Sequence, residues 1–328
     1  MRRLLALVIA VLLIVPLSSF ADSFTQLVVF GDSLSDTGNL YLATGGKAPA
    51  PAPAAYTAGL FTDGPDSIPS TSGPLGVWDQ QLARMLGLPS PAPVLAGGGG
   101  TDYAFGGALT GYDPDFPGSG VPYVGDQVNL YLLTHPNGVP SSALYVFWAG
   151  ANDIFNDVSP QTAVANLASS INTLYADGGR DFLWLNMPPL GDTPDGLALG
   201  PLESAGLNQL SQAYNADCLA AIASLDDHHP GINIVGVNVY SLVESMLADP
   251  SAYGFTNINT PAQGKNVNPN DYLFWDGVHP TTEGHFQVAS LADRDLTPEP
   301  ASLVLFSTGL LAIALLLHRG IRQGNDAI

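Results

Sequence analysis

Residues 27–35 read LVVFGDSLS, a run of four large apolar residues followed by glycine, aspartate and serine. The apolar run contains valine and phenylalanine and stops at turn-forming residues, which predicts a buried strand. Ser33 follows this strand directly, and we expect a helix to begin at it. In α/β sheets, functional groups gather at the carboxyl ends of the strands. Ser33 is therefore a candidate nucleophile, although a serine that only caps a helix would have the same local sequence.

The rest of the chain alternates short apolar runs with helical patterns. Further buried strands are predicted at residues 144–148, 182–185 and 232–237. Helices are predicted at residues 78–86, 161–175, 203–225 and 281–293. This alternation predicts a three-layer α/β/α domain with a mostly parallel central sheet. Surface loops rich in glycine, proline and alanine are expected at residues 44–74, 89–100 and 111–122.

Composition excludes some classes of function. The chain has 328 residues, of which 46% are hydrophobic and 12% charged, and its net charge is −20. Such a chain can bury a large core, but it would be repelled by nucleic acids and by anionic lipid surfaces. The one cysteine, Cys218, excludes an internal disulfide. A catalytic thiol is the alternative for Cys218, but no histidine pattern accompanies it.

The amino-terminal segment predicts export. Arg2 and Arg3 precede an apolar stretch at residues 4–17, and Ser19 and Ala21 place small residues at a cleavage site. This pattern is typical of a signal peptide, here residues 1–21. An uncleaved membrane anchor is the alternative, but the apolar stretch is short and contains Pro16.

The carboxyl-terminal segment, residues 297–328, contains PEPASL at residues 298–303 and an apolar run at 301–317, which is followed by basic residues. The run predicts a transmembrane helix whose positive flank stays in the cytoplasm. The segment resembles the PEP-CTERM sorting signal of Gram-negative bacteria, although a plain single-helix anchor has a similar pattern. The resemblance implies an exosortase partner, anchoring in the inner membrane before processing, and a location in the periplasm, on the cell surface or in the extracellular matrix. Residues 22–296 remain as one predicted domain.

Three further motifs offer partners for Ser33. Asp276 lies three residues before His279, where the last predicted helix begins. A carboxylate that accepts from Nδ1 leaves Nε2 free to take the proton of a hydroxyl. Asn152 follows the predicted strand at 144–148, and its amide can donate to an oxyanion, as can the backbone N–H of Gly107. Each motif alone is compatible with a surface turn or a helix cap.

Together these motifs resemble the GDSL or SGNH hydrolase family, in its lipase and esterase branch. The similar blocks are residues 31–39, 102–108, 150–153 and 276–279, so the resemblance spans about residues 27–290. It implies the flavodoxin-like form of the three-layer fold. It also implies that Ser33 is the nucleophile, His279 the base and Asp276 its partner, with an oxyanion hole formed by Ser33, Gly107 and Asn152. The family usually has asparagine where this chain has Asp102.

Other polar residues were considered for the base or for a metal site. His285 has no carboxylate three residues before it. His228 and His229 fit a solvated helix end better than a metal site, and Asp113 and Asp115 lack calcium-loop spacing. No cofactor and no metal are implied.

The sequence therefore predicts an exported serine esterase or lipase. Its expected substrates are acyl esters of lipids or acylated carbohydrate, between which the sequence does not choose. An acyltransferase with the same triad, in which a sugar or an alcohol replaces water, is one alternative. A non-catalytic surface or matrix-binding protein is the other.

Overall fold

The computed structural model describes residues 24–49, 56, 59–64 and 76–297. Its strands are β1 (Gln26–Gly31), β2 (Ala143–Trp148), β3 (Asp181–Leu185) and β4 (Asn233–Val237). Its α-helices are α1 (Asn39–Ala43), α2 (Trp78–Met85), α3 (Val124–Leu133), α4 (Ala151–Phe155), α5 (Pro160–Ala176), α6 (Pro194–Ala198), α7 (Pro201–His228), α8 (Val239–Ala248) and α9 (Thr282–Leu296). Short 3₁₀ helices lie at Val94–Ala96, Leu190–Asp192, Pro250–Tyr253 and Pro269–Asp271.

The four strands form one parallel sheet in the order β1-β2-β3-β4. A parallel bridge between Val29 and Asp102 extends the sheet beyond β1. Residue 102 therefore lies beside β1 on one side, and β2 lies beside it on the other, so the chain reverses its direction across the sheet between them. Because βαβ crossovers are right-handed, this reversal places the crossover helices α3, α5 and α7 on the face of the sheet opposite α2.

Alternate residues of each strand enter two separate hydrophobic cores. Val28 and Phe30 of β1 belong to the core that also holds α3, α5 and α7. Leu27 and Val29 belong to the core that also holds α2, α8 and α9. Strands buried on both faces have continuous apolar runs, as β1, β2 and β3 do, whereas β4 at the edge is only partly buried. The three-layer α/β/α fold predicted from the sequence is thereby confirmed.

The predicted strands and helices are present near their predicted bounds. The prediction that a helix begins at Ser33 is wrong, because only one turn forms there. Asp36 ends that turn, since its carboxylate accepts the backbone N–H groups of Gly38 and Asn39 at 2.8 and 2.6 Å. Helix α1 then begins at Asn39. Helices α3 and α8 were not predicted.

The predictions for the two ends of the chain lie outside the described residues. These are the signal peptide at residues 1–21 and the transmembrane helix at residues 301–317. Among the helices that the structure does describe, none combines the length and the apolar character needed to cross a membrane.

Candidate active site

Ser33, His279 and Asp276 form one continuous chain of hydrogen bonds. His279 Nε2 lies 2.7 Å from Ser33 Oγ, and His279 Nδ1 lies 2.7 Å from Asp276 Oδ2. Ser33 is supplied by the turn after β1, and the other two residues by the loop before α9. The residues that the sequence predicted as nucleophile, base and partner are therefore in direct contact.

The carboxylate of Asp276 is surrounded by donors. Its Oδ1 accepts the backbone N–H groups of Val278 and His279, at 2.9 and 2.7 Å. Its Oδ2 accepts from the Tyr56 hydroxyl at 2.6 Å, besides the imidazole. Burial alone would raise the pKa of Asp276, but the bonds from His279 and Tyr56 outweigh it and lower the pKa to about 2. Asp276 therefore carries its charge across the neutral range.

Tyr56 was missed by sequence reasoning. It lies in a stretch that was assigned only to a loop, and 220 residues separate it from Asp276. Burial, with the neighbouring Asp276 carboxylate, raises the pKa of Tyr56, so its hydroxyl keeps its proton and can only donate to Asp276. No local pattern marks such a contact.

His279 is held by its backbone and by an aromatic neighbour. Its carbonyl accepts the Trp275 N–H at 2.8 Å. The ring of Phe61 lies 4.9 Å from the imidazole, centroid to centroid. These contacts restrict the ring to the position from which it reaches both Ser33 and Asp276.

The end of β1 packs so closely against β2 that position 31 requires glycine. A Cβ on Gly31 would lie 2.5 Å from the carbonyl oxygen of Trp148 on β2, so no side chain fits there. The amide of Gln127, from α3, pairs with both backbone groups of Gly31, each at 2.9 Å. Gln127 is fully buried and was also missed from the sequence, because α3 itself was not predicted.

Ser33, Gly107 and Asn152 line the same pocket, and each carries an N–H donor: the backbone N–H of Ser33, that of Gly107 and the side-chain amide of Asn152. Gly107 has φ +83° and is exposed. The Asn152 amide donates one hydrogen to the Ala108 carbonyl at 3.0 Å, and an amide nitrogen carries two. These groups are the candidates for binding an oxyanion.

Two buried aspartates hold the segment that carries Gly107. Asp36 accepts the Gly106 N–H at 2.8 Å. Asp102 accepts the Thr37 N–H at 2.7 Å with one oxygen and the Ala104 N–H at 2.8 Å with the other. An asparagine at position 102 would turn its amide nitrogen toward one of these donors. The aspartate is therefore matched to its surroundings.

The other candidates for chemistry lie outside the site. His285 is fully buried, and burial lowers its pKa to about 3, so it stays neutral; its Nδ1 accepts the Trp78 N–H at 3.3 Å. Cys218 is buried in α7, and burial raises its pKa to about 12. His228 contacts the Ser224 carbonyl. Across the described ranges, no three metal-binding side chains come together.

A pocket of about 520 Å³ opens at Ser33 and His279. Most of its wall is apolar. Its lining includes Leu34, Phe61, Trp148, Phe155, Leu190, Leu199, Val239, Val243, Met246, Leu273, Phe274 and Val288. An ester at Ser33 would therefore have polar groups beside its carbonyl and apolar walls beyond it.

Comparison with known proteins shows the family. The profile of the GDSL-like Lipase/Acylhydrolase family matches residues 27–292. The chain belongs to this family. The resemblance stated from the four sequence blocks is thereby confirmed.

Curated members of the GDSL family align with much of the chain. A thermolabile hemolysin of Vibrio parahaemolyticus is 25% identical over 82% of this chain and 63% of its own length. The esterase EstA of Pseudomonas aeruginosa is 28% identical over 81% of this chain and 46% of its own length. The chain thus spans less than two thirds of these relatives.

One solved structure to which the chain is similar is that of a member of the lipolytic protein G-D-S-L family from Veillonella parvula. It has 14% identity and a TM-score of 0.44, with coverage of 82% of this chain and 96% of its own.

Proposed function

We propose that this chain is an exported serine esterase that hydrolyses carboxylic ester bonds through an acyl-enzyme. One observation carries the proposal, namely the path of two 2.7 Å contacts from Ser33 Oγ through the His279 imidazole to Asp276. A serine hydroxyl is a poor nucleophile unless a base takes its proton, and an oriented imidazole is the commonest such base.

In the first half of the proposed reaction, Ser33 Oγ attacks the ester carbonyl carbon while its proton passes to His279 Nε2. Asp276 is ionised and stabilises the imidazolium that forms. The tetrahedral intermediate then collapses, and the leaving alcohol takes the proton from His279. The acyl group remains on Ser33.

In the second half, water enters where the alcohol left. His279 Nε2 takes a proton from the water as its oxygen attacks the acyl carbon, and then returns the proton to Ser33 Oγ. The acid product leaves. In both halves the carbonyl oxygen becomes an oxyanion, for which we propose the N–H groups of Ser33 and Gly107 and the Asn152 amide as donors.

The proposal is tested with p-nitrophenyl esters and the Ser33→Ala variant. Turnover should fall at least ~1,000-fold, since removing a triad member leaves only the contribution of binding and the oxyanion donors. Ser169→Ala, at an exposed serine on α5, is the matched control and should keep full activity. Equal turnover by Ser33→Ala and the parent would refute the mechanism.

Export is part of the proposal and rests on the sequence of the two ends. The signal peptide at residues 1–21 would direct the domain across the inner membrane, and the PEP-CTERM segment at residues 297–328 would anchor it there until an exosortase processes it. Fractionation of cells that express the full chain, beside a chain lacking residues 2–21, tests this. Equal amounts of both chains in the cytoplasm would contradict export.

A further inference from the structure

The pocket at Ser33 has a deep apolar part, which we call the acyl channel. Six residues define it: Val239, Val243, Met246, Leu273, Phe274 and Val288. All six are at most 9% exposed and belong to the core between the sheet, α8 and α9. The channel therefore extends from the nucleophile into the interior of the domain.

Helix α8 supplies one wall of the acyl channel. Val239, Val243 and Met246 follow one another at intervals of four and three residues, so they share one face of the helix. Val288 of α9 completes the lining with the segment at 273–274. Four of the six residues thus lie on helices α8 and α9, whose backbone fixes their positions.

The apolar side chains of this wall favour an alkyl chain over a polar group. The six side chains offer no hydroxyl, amide or charged group, and a sugar placed against them would lose its hydrogen bonds to water without replacement. An acetyl group would fill only a small part of the 520 Å³ and leave apolar wall in contact with water. A longer acyl chain would cover that wall, with a gain for each methylene buried.

The channel suits the acyl side of the ester better than the alcohol side. In the proposed reaction the acyl group stays bonded to Ser33 while the alcohol must leave and water must enter. The lining of the channel belongs to a buried core, so an alcohol bound there would lie on the side of the pocket away from its exposed residues. The pocket mouth is more open, because Phe155 and Leu199 there are about half exposed.

We propose that the acyl channel binds medium-length or long acyl chains, so that the substrates are fatty acyl esters rather than acetylated carbohydrate. This inference rests on the proposed esterase function and names its substrate class.

The test varies the acyl chain on a constant alcohol. We expect kcat/KM for p-nitrophenyl esters to rise from acetate through butyrate to octanoate, by up to about fourfold per methylene, as buried methylenes contribute to binding. Ser33-dependent activity that is highest on acetate and falls with length would overturn the channel while leaving the esterase intact. Absence of Ser33-dependent activity on every ester would instead refute the esterase itself.

Substitutions in the channel give an independent check. Val243→Phe should shorten the channel, which lowers kcat/KM on octanoate at least ~10-fold more than kcat/KM on acetate. Leu242→Phe is the matched control, because Leu242 is the neighbouring residue on α8 and does not line the pocket. A cooperative thermal unfolding transition shows that Val243→Phe folds. If it does not fold, Val288→Phe is measured in the same way. Parallel loss on acetate and octanoate in a folded variant, or no loss on either, would overturn the proposal.

Discussion

The carboxylate of Asp36 accepts a hydrogen bond from the backbone N–H of Gly106 at 2.8 Å. Asp36 lies three residues after the nucleophile, and Gly106 lies one residue before Gly107. The bond therefore joins the turn that carries Ser33 to the turn that carries another candidate oxyanion donor. One buried side chain thus bridges the nucleophile's turn and the donor's turn, beside the bonds that Asp102 makes.

Asp36→Ala should remove one of the hydrogen bonds that join these two turns. We expect kcat to fall about 10- to 100-fold, less than the loss of an oxyanion donor itself, while KM changes little. Stability should also fall by roughly 1–3 kcal/mol for each N–H group left buried without a partner. Steady-state kinetics and thermal unfolding measure both effects. Asp113→Ala, in the exposed loop at 111–122, is the control, and unchanged kcat in Asp36→Ala would contradict the role.

Tyr56→Phe removes one of the donors to Asp276 and little else. We expect kcat to fall by about threefold to tenfold, the equivalent of one hydrogen bond to a charged group. The fall should appear in kcat with KM almost unchanged, because Tyr56 helps to hold Asp276 against His279. A general loss of structure would change KM as well, and an unchanged kcat in steady-state kinetics would show that Tyr56 does not act on the triad.

Asn152→Ala tests the oxyanion hole. The loss should appear in kcat, by roughly 100- to 1,000-fold, because the amide would bind the carbonyl oxygen most strongly when it becomes negative. Asn259→Ala, at an exposed asparagine, should behave like the parent. If Asn152→Ala raised KM and left kcat intact, the amide would be a ground-state contact and the proposed role would be wrong.

Asp79→Asn should change how stability depends on pH. Asp79 is fully buried, and burial, together with the charge of Asp36, raises its pKa to about 8. Its Oδ2 has no hydrogen-bond partner in the described residues. Because the folded chain keeps a proton that the unfolded chain loses above about pH 4, Asp79 favours the folded state at low pH, and this contribution is lost as pH rises through about 8.

The asparagine variant removes that dependence. Its Tm relative to the parent should be higher at about pH 9 than at about pH 5, by a few degrees. Thermal unfolding at both values measures the difference, with Asp227→Asn on the exposed side of α7 as control. An equal Tm difference at both pH values would mean that Asp79 is not protonated in the folded state.

Strands β1, β2 and β3 were predictable because each is buried on both faces. Residues such as Val28 and Val29 are both fully buried, on opposite sides of the sheet, so the apolar run is continuous. Helix α5 was predictable for a related reason, since Ser159 caps it and Pro160 begins it. Local sequence was sufficient for these elements.

Helix α8 was not predictable in the same way. Only Asn238 separates it from β4, so the apolar residues of strand and helix run together in the sequence. The turn at Ser33 was misjudged because its end depends on the side chain of Asp36. The contact from Tyr56 to Asp276 depends on the whole fold. Tertiary contacts decide these features, and no local window contains them.

The hydrogen bond between Ser33 and His279 joins residues 246 positions apart, one near each end of the described domain. The nucleophile therefore has no base until α9 and the loop before it have docked onto the finished sheet. In the proposed mechanism, a chain still emerging from a translocation pore would be inert toward the lipids around it. Esterase turnover would then report that these two distant segments have come together.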